Sequence, residues 1–408
     1  MIDNIAPDGR IQAVPPVDGR RARAGFWLVA AVYTLVMLGG TLPLPLYALW
    51  APQMGFGPFT TTLIFAVYAL GTVLALMVFA SLSDRAGRRP LLAAAVLAAA
   101  TSTVLFLLAD DVGTLLAARF LCGLSTGVFT ATATAALGEL AGAKHTRRVS
   151  TVSTAANMGG LGLGTVVAGL FAQYGANPTH LVFWAYLVSL APALLAVIVT
   201  PETVTAPQRP AVSVRRPTIP DRQAARTEFL RAATAVLAAF AVSGLFSSLV
   251  PSFLREQLHV HNAAAVGSEV GLLFIVALIA LVAAPERWIS GRWPAPAFLV
   301  AGVAVFETGL WTRSLPTFAT RTLLAGTGIG LAFRRGVGVA QRLADTRRRA
   351  DLLSTYFLFA YTGTIVPTLA LGLLDQTINQ DVATLILAVG VIATTLAGAL
   401  SRPATATT

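Results

Sequence analysis

Several residue types are nearly missing from this chain of 408 residues: it has one cysteine, four histidines and, among 29 basic residues, a single lysine, Lys144. The lone Cys122 excludes an internal disulfide and any thiolate-held metal site. His259 and His261, with Glu256, are the densest group of potential metal ligands. Two imidazoles on a loop without a fixed frame read as solvated residues, so no metal is expected. No nucleophile stands beside a placed base, so no catalytic residue is assigned. Gly326-Thr327-Gly328-Ile329-Gly330 follows no strand and therefore does not read as a phosphate loop. Without a nucleotide-binding loop or a cofactor motif, neither an enzyme nor an ATP-driven pump is expected, and no cofactor. Charge is scarce too: 12% of the residues are charged, against about 25% in an average soluble domain. Little of this surface is built to meet water.

What is abundant is apolar sequence, 56% of the chain, at a mean hydropathy of +0.73. It falls into twelve runs, at 26–50, 58–82, 90–109, 114–137, 149–173, 180–200, 229–253, 264–284, 294–311, 315–340, 351–373 and 380–400. Runs of about 20 residues cross about 30 Å of hydrocarbon as helices. Lipid offers the backbone no partners, and the alternating pattern of a barrel strand is absent, so helices are the required form. The first run is too long for a cleaved signal and is followed by no small-residue cleavage site.

The net charge of +11 is a topology signal. With both termini in the cytoplasm, 25 of the 29 basic residues fall in cytoplasmic segments; Arg255 and Arg313 lie outside, and Arg119 and Arg321 within spans. That asymmetry is the positive-inside rule. No basic patch stands on a soluble domain, so no nucleic acid is expected. The predicted organisation is a mobile cytoplasmic tail over 1–25, a six-helix bundle over 26–200, a cytoplasmic loop over 201–228 rich in Pro and Arg, a second six-helix bundle over 229–400, and a cytoplasmic tail over 401–408.

The halves repeat each other. Arg147-Arg148 and Ser153-Thr154 recur as Arg348-Arg349 and Ser354-Thr355; Gly160, Gly169, Leu170 and Gln173 recur as Gly363, Gly372, Leu373 and Gln376. Repeated helical halves in a membrane are a transporter architecture, with the solute site near the midplane at their interface.

Between the second and third runs stands Ala80-Ser81-Leu82-Ser83-Asp84-Arg85-Ala86-Gly87-Arg88-Arg89-Pro90. It resembles the signature loop of the major facilitator superfamily, Gly-x-x-x-Asp-Arg-x-Gly-Arg-Arg, with Ala80 for the first glycine. Gly87 supplies the dihedral a tight reversal needs, and Arg85, Arg88 and Arg89 suit an anionic lipid surface. The resemblance implies that Asp84 docks on the start of span eleven when the cytoplasmic side is closed, making this loop a conformational latch. Arg119-Phe120-Leu121-Cys122-Gly123 is similar to the family's Arg-x-x-x-Gly pattern in span four, associated with proton coupling. Gly159-Gly160-Leu161-Gly162-Leu163-Gly164-Thr165-Val166-Val167-Ala168-Gly169 resembles, in part, the antiporter motif of span five, associated with efflux. Read physically, Gly123, Gly127, Gly160, Gly164 and Gly169 let helices pack closely.

The resemblance implies an all-α membrane protein of twelve transmembrane helices in two pseudo-symmetric bundles, a monomer in the cell membrane. It further implies alternating access for a small organic solute, with export coupled to protons. Spans 1, 4, 7 and 10 would line a central cavity, helped by 2, 5, 8 and 11. The substrate and coupling candidates there are Tyr33, Tyr47, Tyr68, Arg119, Asn157, Phe246, Ser247, Arg321 and Tyr361. A membrane arginine faces the protein interior or a wet cavity, or snorkels to water; Arg119, about five residues from the outer end of its run, is open to either. Glu307 and Arg321 lie at similar depth and are expected to pair as a structural bridge. Spans 1, 2, 5 and 7 hold no carboxylate, which favours a neutral or anionic solute over a cationic one. The alternatives are an importer or facilitator of a sugar or organic acid, and a non-transporting membrane sensor on the same fold.

Overall fold

The computed structural model describes residues 19–79, 82, 86–142, 145–204, 217–256, 262–312, 315–343 and 349–401, and no β-strand occurs among them. Helix α1 (Gly19–Thr41) is followed by a 3-10 turn at Leu44–Leu46 and by α2 (Tyr47–Met54). The expected continuous run 26–50 is therefore corrected at both ends. The helix begins seven residues earlier, so Arg20, Arg21 and Arg23 are helical rather than part of a tail. It also breaks at Pro43 and Pro45, which have no N–H to give to the preceding turn. Gly55, at φ 68°, closes α2 in the left-handed region.

The chain continues as α3 (Pro58–Val78), α4 (Arg88–Leu107), α5 (Val112–Ala141), α6 (Thr146–Tyr174) and α7 (Pro178–Val199). After the central loop come α8 (Gln223–Glu256), α9 (Ala263–Ala283), the short α10 (Glu286–Ser290), α11 (Pro294–Thr312), α12 (Leu315–Leu343), α13 (Arg349–Leu374) and α14 (Gln380–Leu400). The central loop is shorter than read, because 223–228 belong to α8. Among the described residues, ten helices are long and apolar enough to cross a membrane, counting α1 to α2 as one. The two at the expected ninth and tenth positions fall short of that measure. The apolar stretch of α11 covers only Pro294–Thr308, and α12 carries Arg321, Arg334, Arg335 and Arg342. The protein is a multi-pass membrane protein. Trp184, Val188, Leu195 and Val199 on α7, and Ile386 and Val389 on α14, lie open as lipid-facing side chains do.

Two hydrophobic cores form. One draws on residues from Phe26 to Val197, the other on Phe229 to Val391, with Met158 of α6 reaching into the second. Between the bundles run two seams, α6 on α9 and α3 on α13. Both are set by small residues. Gly162 lies against the Gly271 carbonyl, and Gly169 against Ala263 and Gly267. Gly372 of α13 sits on Phe59 and Thr62 of α3. A Cβ at Gly267 would stand 2.9 Å from the Cα of Gly169, so the seam admits no larger residue there. At the same arginine-poor end, the Ala263 N–H donates to Gln173 Oε1 across the seam at 2.7 Å. The remaining glycines of the expected packing motif serve within the first bundle. Gly123 and Gly127 sit on α3 at Tyr68 and Thr72, and Gly160 and Gly164 on α1 at Thr34 and Leu38.

Candidate functional site

At the arginine-rich end, Gly87 takes φ 103°, which a side chain would resist, and opens α4. Arg88 is 8% exposed and makes a two-pronged contact with Glu139 at the end of α5, with Nη2 to Oε1 at 2.7 Å and Nε to Oε2 at 3.2 Å. Glu202, just past α7, accepts the backbone N–H groups of Arg88 at 2.8 Å and Arg89 at 2.9 Å. A carboxylate over the first turn of α4 satisfies donors the helix cannot. Glu139 and Glu202 went unnoticed in the sequence because the motif is read for its arginines. Both lie in the same bundle as the loop. Asp84 and Arg85 lie outside the described residues, so the expected latch does too, as do His259 and His261.

Deeper, Arg119 of α5 is fully buried; it does not snorkel. Its Nε donates to the Tyr47 hydroxyl, and its Nη1 to the Gly40 carbonyl at 2.7 Å. Its guanidinium carbon lies 5.3 Å from the Tyr47 ring centre and 5.1 Å from that of Tyr68. The break at Pro43 makes this possible, because it starts α2 at Tyr47 and turns that side chain inward. Nη2 of Arg119 is buried without a hydrogen-bond partner.

Tyr33 of α1 accepts from Asn157 Nδ2 of α6 at 3.1 Å. Tyr361 of α13 stacks edge-on to Phe240 of α8 at 5.8 Å. Phe240 was missed because an apolar ring in an apolar helix carries no signal in the sequence.

In the second bundle, Arg321 of α12 lies 4.9 Å from the centre of the Phe246 ring and 4.7 Å from that of Phe306. Beside it in the chain, the Thr322 hydroxyl donates to Glu269 of α9 at 2.5 Å. The buried Oε1 of Glu307 has no hydrogen-bond partner. The Glu307–Arg321 bridge stays an expectation, with Arg321 packed on Phe306, the residue beside Glu307 in the chain. Ser247 is buried with an unpartnered hydroxyl.

The family model described as Major Facilitator Superfamily matches residues 29–368. No curated protein matches the chain. Among solved structures, a POT family transporter in complex with 5-aminolevulinic acid is 14% identical with a TM-score of 0.73, over 92% of this chain and 95% of that one. The human organic anion transporter MFSD10 (TETRAN) is 20% identical with a TM-score of 0.64, over 94% of this chain and 100% of that one. A bacterial homolog to the human lysosomal transporter Spinster, inward-facing and occupied, is 16% identical with a TM-score of 0.64, over 92% and 93%. At these identities the likeness is one of fold.

Proposed function

Since the chain belongs to the Major Facilitator Superfamily, we propose that it is a secondary transporter that exports a small organic solute by alternating access, coupled to protons. The observation that carries this reading is the pair of seams. Two bundles with separate cores meet along α6–α9 and α3–α13 through small residues, the contact that lets one rigid half rock on the other. The polar contact Gln173–Ala263 crosses at the arginine-poor end. The described bonds of Arg88, Glu139 and Glu202 at the other end stay within one half.

The arginine-rich end is cytoplasmic, with both termini there, and the membrane is the cell membrane. Helices α11 and α12 complete twelve spans; the 29 residues of α12 extend about 43 Å, and Arg321 is covered by ring faces. The chain works as a monomer. Asp84 acts as the cytoplasmic latch, with Arg85, Gly87, Arg88 and Arg89 holding its loop.

The solute is neutral or anionic. It meets Arg119 through the unpartnered Nη2, flanked by Tyr47 and Tyr68, with Tyr33, Asn157 and Tyr361 lining the approach. The preference for an anion rests on that arginine; the organic anion transporter among the neighbours agrees with it but speaks for fold alone. The glycine run of α6, shared between α1 and α9, supports export. A second reading, a facilitator or importer, is favoured by one observation: α1, α3 and α6 contain no carboxylate to carry a proton.

The test is transport by the purified chain in proteoliposomes, across anionic, neutral and cationic solutes, with and without a pH gradient. Gradient-driven movement of an anionic or neutral solute, lost in Asp84→Asn, is expected. Movement indifferent to the gradient would turn the reading to the facilitator, and a protein that moves only cations would overturn the role given to Arg119. Movement of none would point to the sensor.

A further inference from the structure

At the arginine-rich end of the second bundle, α14 stops at Leu400 with no basic residue in its last turn. Its open carbonyls are met from two other elements. Arg292, in the turn between α10 and α11, donates from Nε to the Ala399 carbonyl at 2.6 Å and from Nη2 to the Ser401 carbonyl at 3.2 Å. Arg231 of α8 donates from Nε to the Ser401 hydroxyl at 2.9 Å and from Nη2 to the same Ser401 carbonyl. Arg335 of α12 donates to the Gly291 carbonyl and so fixes the turn that carries Arg292.

One cation is enough to cap a helix end. Here two guanidiniums converge on a single carbonyl oxygen, a like-charge contact that is costly until an anion stands against it. The carboxylates of this face are engaged with other arginines. Glu228, one turn back from Arg231, pairs with Arg342 at 3.4 Å, and Glu286 pairs with Arg334 at 3.5 Å. Among the described residues, no hydrogen-bond acceptor meets Nη1 of Arg231 or Nη1 of Arg292. Arg231 is half-buried and Arg292 exposed, so both nitrogens can be reached from outside. The surroundings are those of a membrane edge. The Arg292 guanidinium carbon lies 5.6 Å from the centre of the Trp293 ring. Trp293, Trp288 and, on the last turns of α14, Leu396 and Leu400 are exposed. Indoles open at such a boundary mark headgroup depth, and the leucines mark the start of the hydrocarbon.

We propose that this arginine pair is a binding site for an anionic phospholipid, whose phosphodiester accepts from Nη1 of Arg231 and Nη1 of Arg292 and whose acyl chains run along Leu400 and Leu396 beside Trp293. Planar guanidinium forks suit phosphate oxygens, and basic recesses between helix ends take anionic headgroups. A free phosphate would answer the two nitrogens and leave the indole and the leucines without a role; a lipid answers both. The site is separate from the one assigned to Arg119 and does not depend on the direction of transport.

The experiment titrates the detergent-solubilised full chain with dioleoyl phosphatidylglycerol, dioleoyl phosphatidylcholine and inorganic phosphate, and reads the first bound molecule by native mass spectrometry. The anionic lipid should bind at least about tenfold tighter than the zwitterionic one, which has the same chains. The double variant Arg231→Gln, Arg292→Gln should bring it down to the level of phosphatidylcholine. Arg222→Gln with Arg226→Gln, which removes the same charge from exposed positions on and just before α8, should leave it within about twofold. A second measurement needs no substitution, should the first double variant not fold. A diazirine analogue of phosphatidylglycerol, photolysed with the unsubstituted chain in nanodiscs, should label 288–293 and 396–401. Equal binding of the two lipids, equal losses in the two double variants, or labelling that misses both segments would overturn the proposal. Inorganic phosphate bound as tightly as phosphatidylglycerol would overturn it too, making the pair a site for a free anion.

Discussion

Replacing Arg119 by glutamine separates a structural arginine from one that meets solute, because the two roles predict different magnitudes. The loss side is visible in the site. Two hydrogen bonds from a charged donor go, to Gly40 at 2.7 Å and to Tyr47, at about 1.5–3 kcal/mol each. Two ring contacts at 5.3 and 5.1 Å go as well, at about 0.5–2 kcal/mol each. Against them stands the relief of burying a guanidinium at membrane depth, about 2.5–3.5 kcal/mol on insertion scales and more by other measures. Glutamine also recovers one of the two bonds. These terms nearly cancel, so the variant should unfold within a few degrees of the wild type, a net change of about 2 kcal/mol or less. Transport has no such cancellation. If Nη2 donates to the solute, losing one charge-assisted bond lowers uptake about 10- to 100-fold. Arg119→Lys keeps the charge but not the planar fork, and should restore only part of that loss. The assay is proteoliposome uptake paired with thermal unfolding of the same preparation. Uptake within twofold of wild type would refute the solute contact; a fall of more than about 15 °C in Tm, beyond what about 2 kcal/mol produces, would make Arg119 a structural element instead.

Glu202→Ala removes the carboxylate over the first turn of α4, so amide exchange at 88–91 should quicken by the equivalent of about 1 kcal/mol, while α5 stays unchanged. Arg88→Met leaves Glu139 half-buried without its cation and should cost more stability than Glu139→Gln, which still accepts from Arg88; thermal unfolding ranks the two. Gly267→Leu drives a side chain into Gly169 and the Thr165 carbonyl, and should abolish uptake and lower Tm. Gly390→Leu, with nothing within 4 Å of its added Cβ, should change neither, and equal effects would sink the account of the seam. Asp111 caps α5 by accepting the Thr114 hydroxyl at 2.8 Å and its N–H at 3.0 Å. Those bonds hold its carboxyl below the ordinary carboxylate value. A folded value below the unfolded one, about 3.9, means the cap is complete above that pH and is lost as the pH falls through the folded value. Protection at 112–115, taken relative to the intrinsic exchange rate at each pH, should therefore fall from pH 5 toward pH 3 in the wild type and be low at both in Asp111→Ala.

Much of the fold was legible because lipid narrows the choices. A run of apolar residues in a membrane has to be a helix, so type followed from composition, while the ends, one internal break and the full count of twelve spans did not. They failed where the helix outlasts the hydrocarbon, as at Gly19–Ala24, or where proline cuts an apolar run without changing its hydropathy, as at Pro43 and Pro45. Small residues announced close packing, but smallness does not name a partner. Gly160 and Gly164 serve α1, while Gly169, on the same helix, serves α9. The partners of Arg119 lie 72 and 79 residues away in sequence and emerge only with the break that places Tyr47.

The repeat makes Arg119 and Arg321 counterparts, each buried in the helix at the fourth position of its half, and sequence alone treats them alike. Their surroundings divide them. Arg119 is fixed between two tyrosines, by a hydroxyl and a backbone carbonyl, with one nitrogen still open. Arg321 is held against two phenylalanines, Phe246 and Phe306. Duplication would explain a buried arginine in each half; it does not explain why hydroxyls stand around one and hydrocarbon around the other. That divergence leaves an open donor in the first bundle and an arginine sheathed in hydrocarbon in the second. The same argument predicts that Arg119→Gln and Arg321→Gln differ in what they do to uptake. An uptake defect that falls on anionic solutes in the first variant, and no change in the preference among solutes in the second, is the result this asymmetry requires.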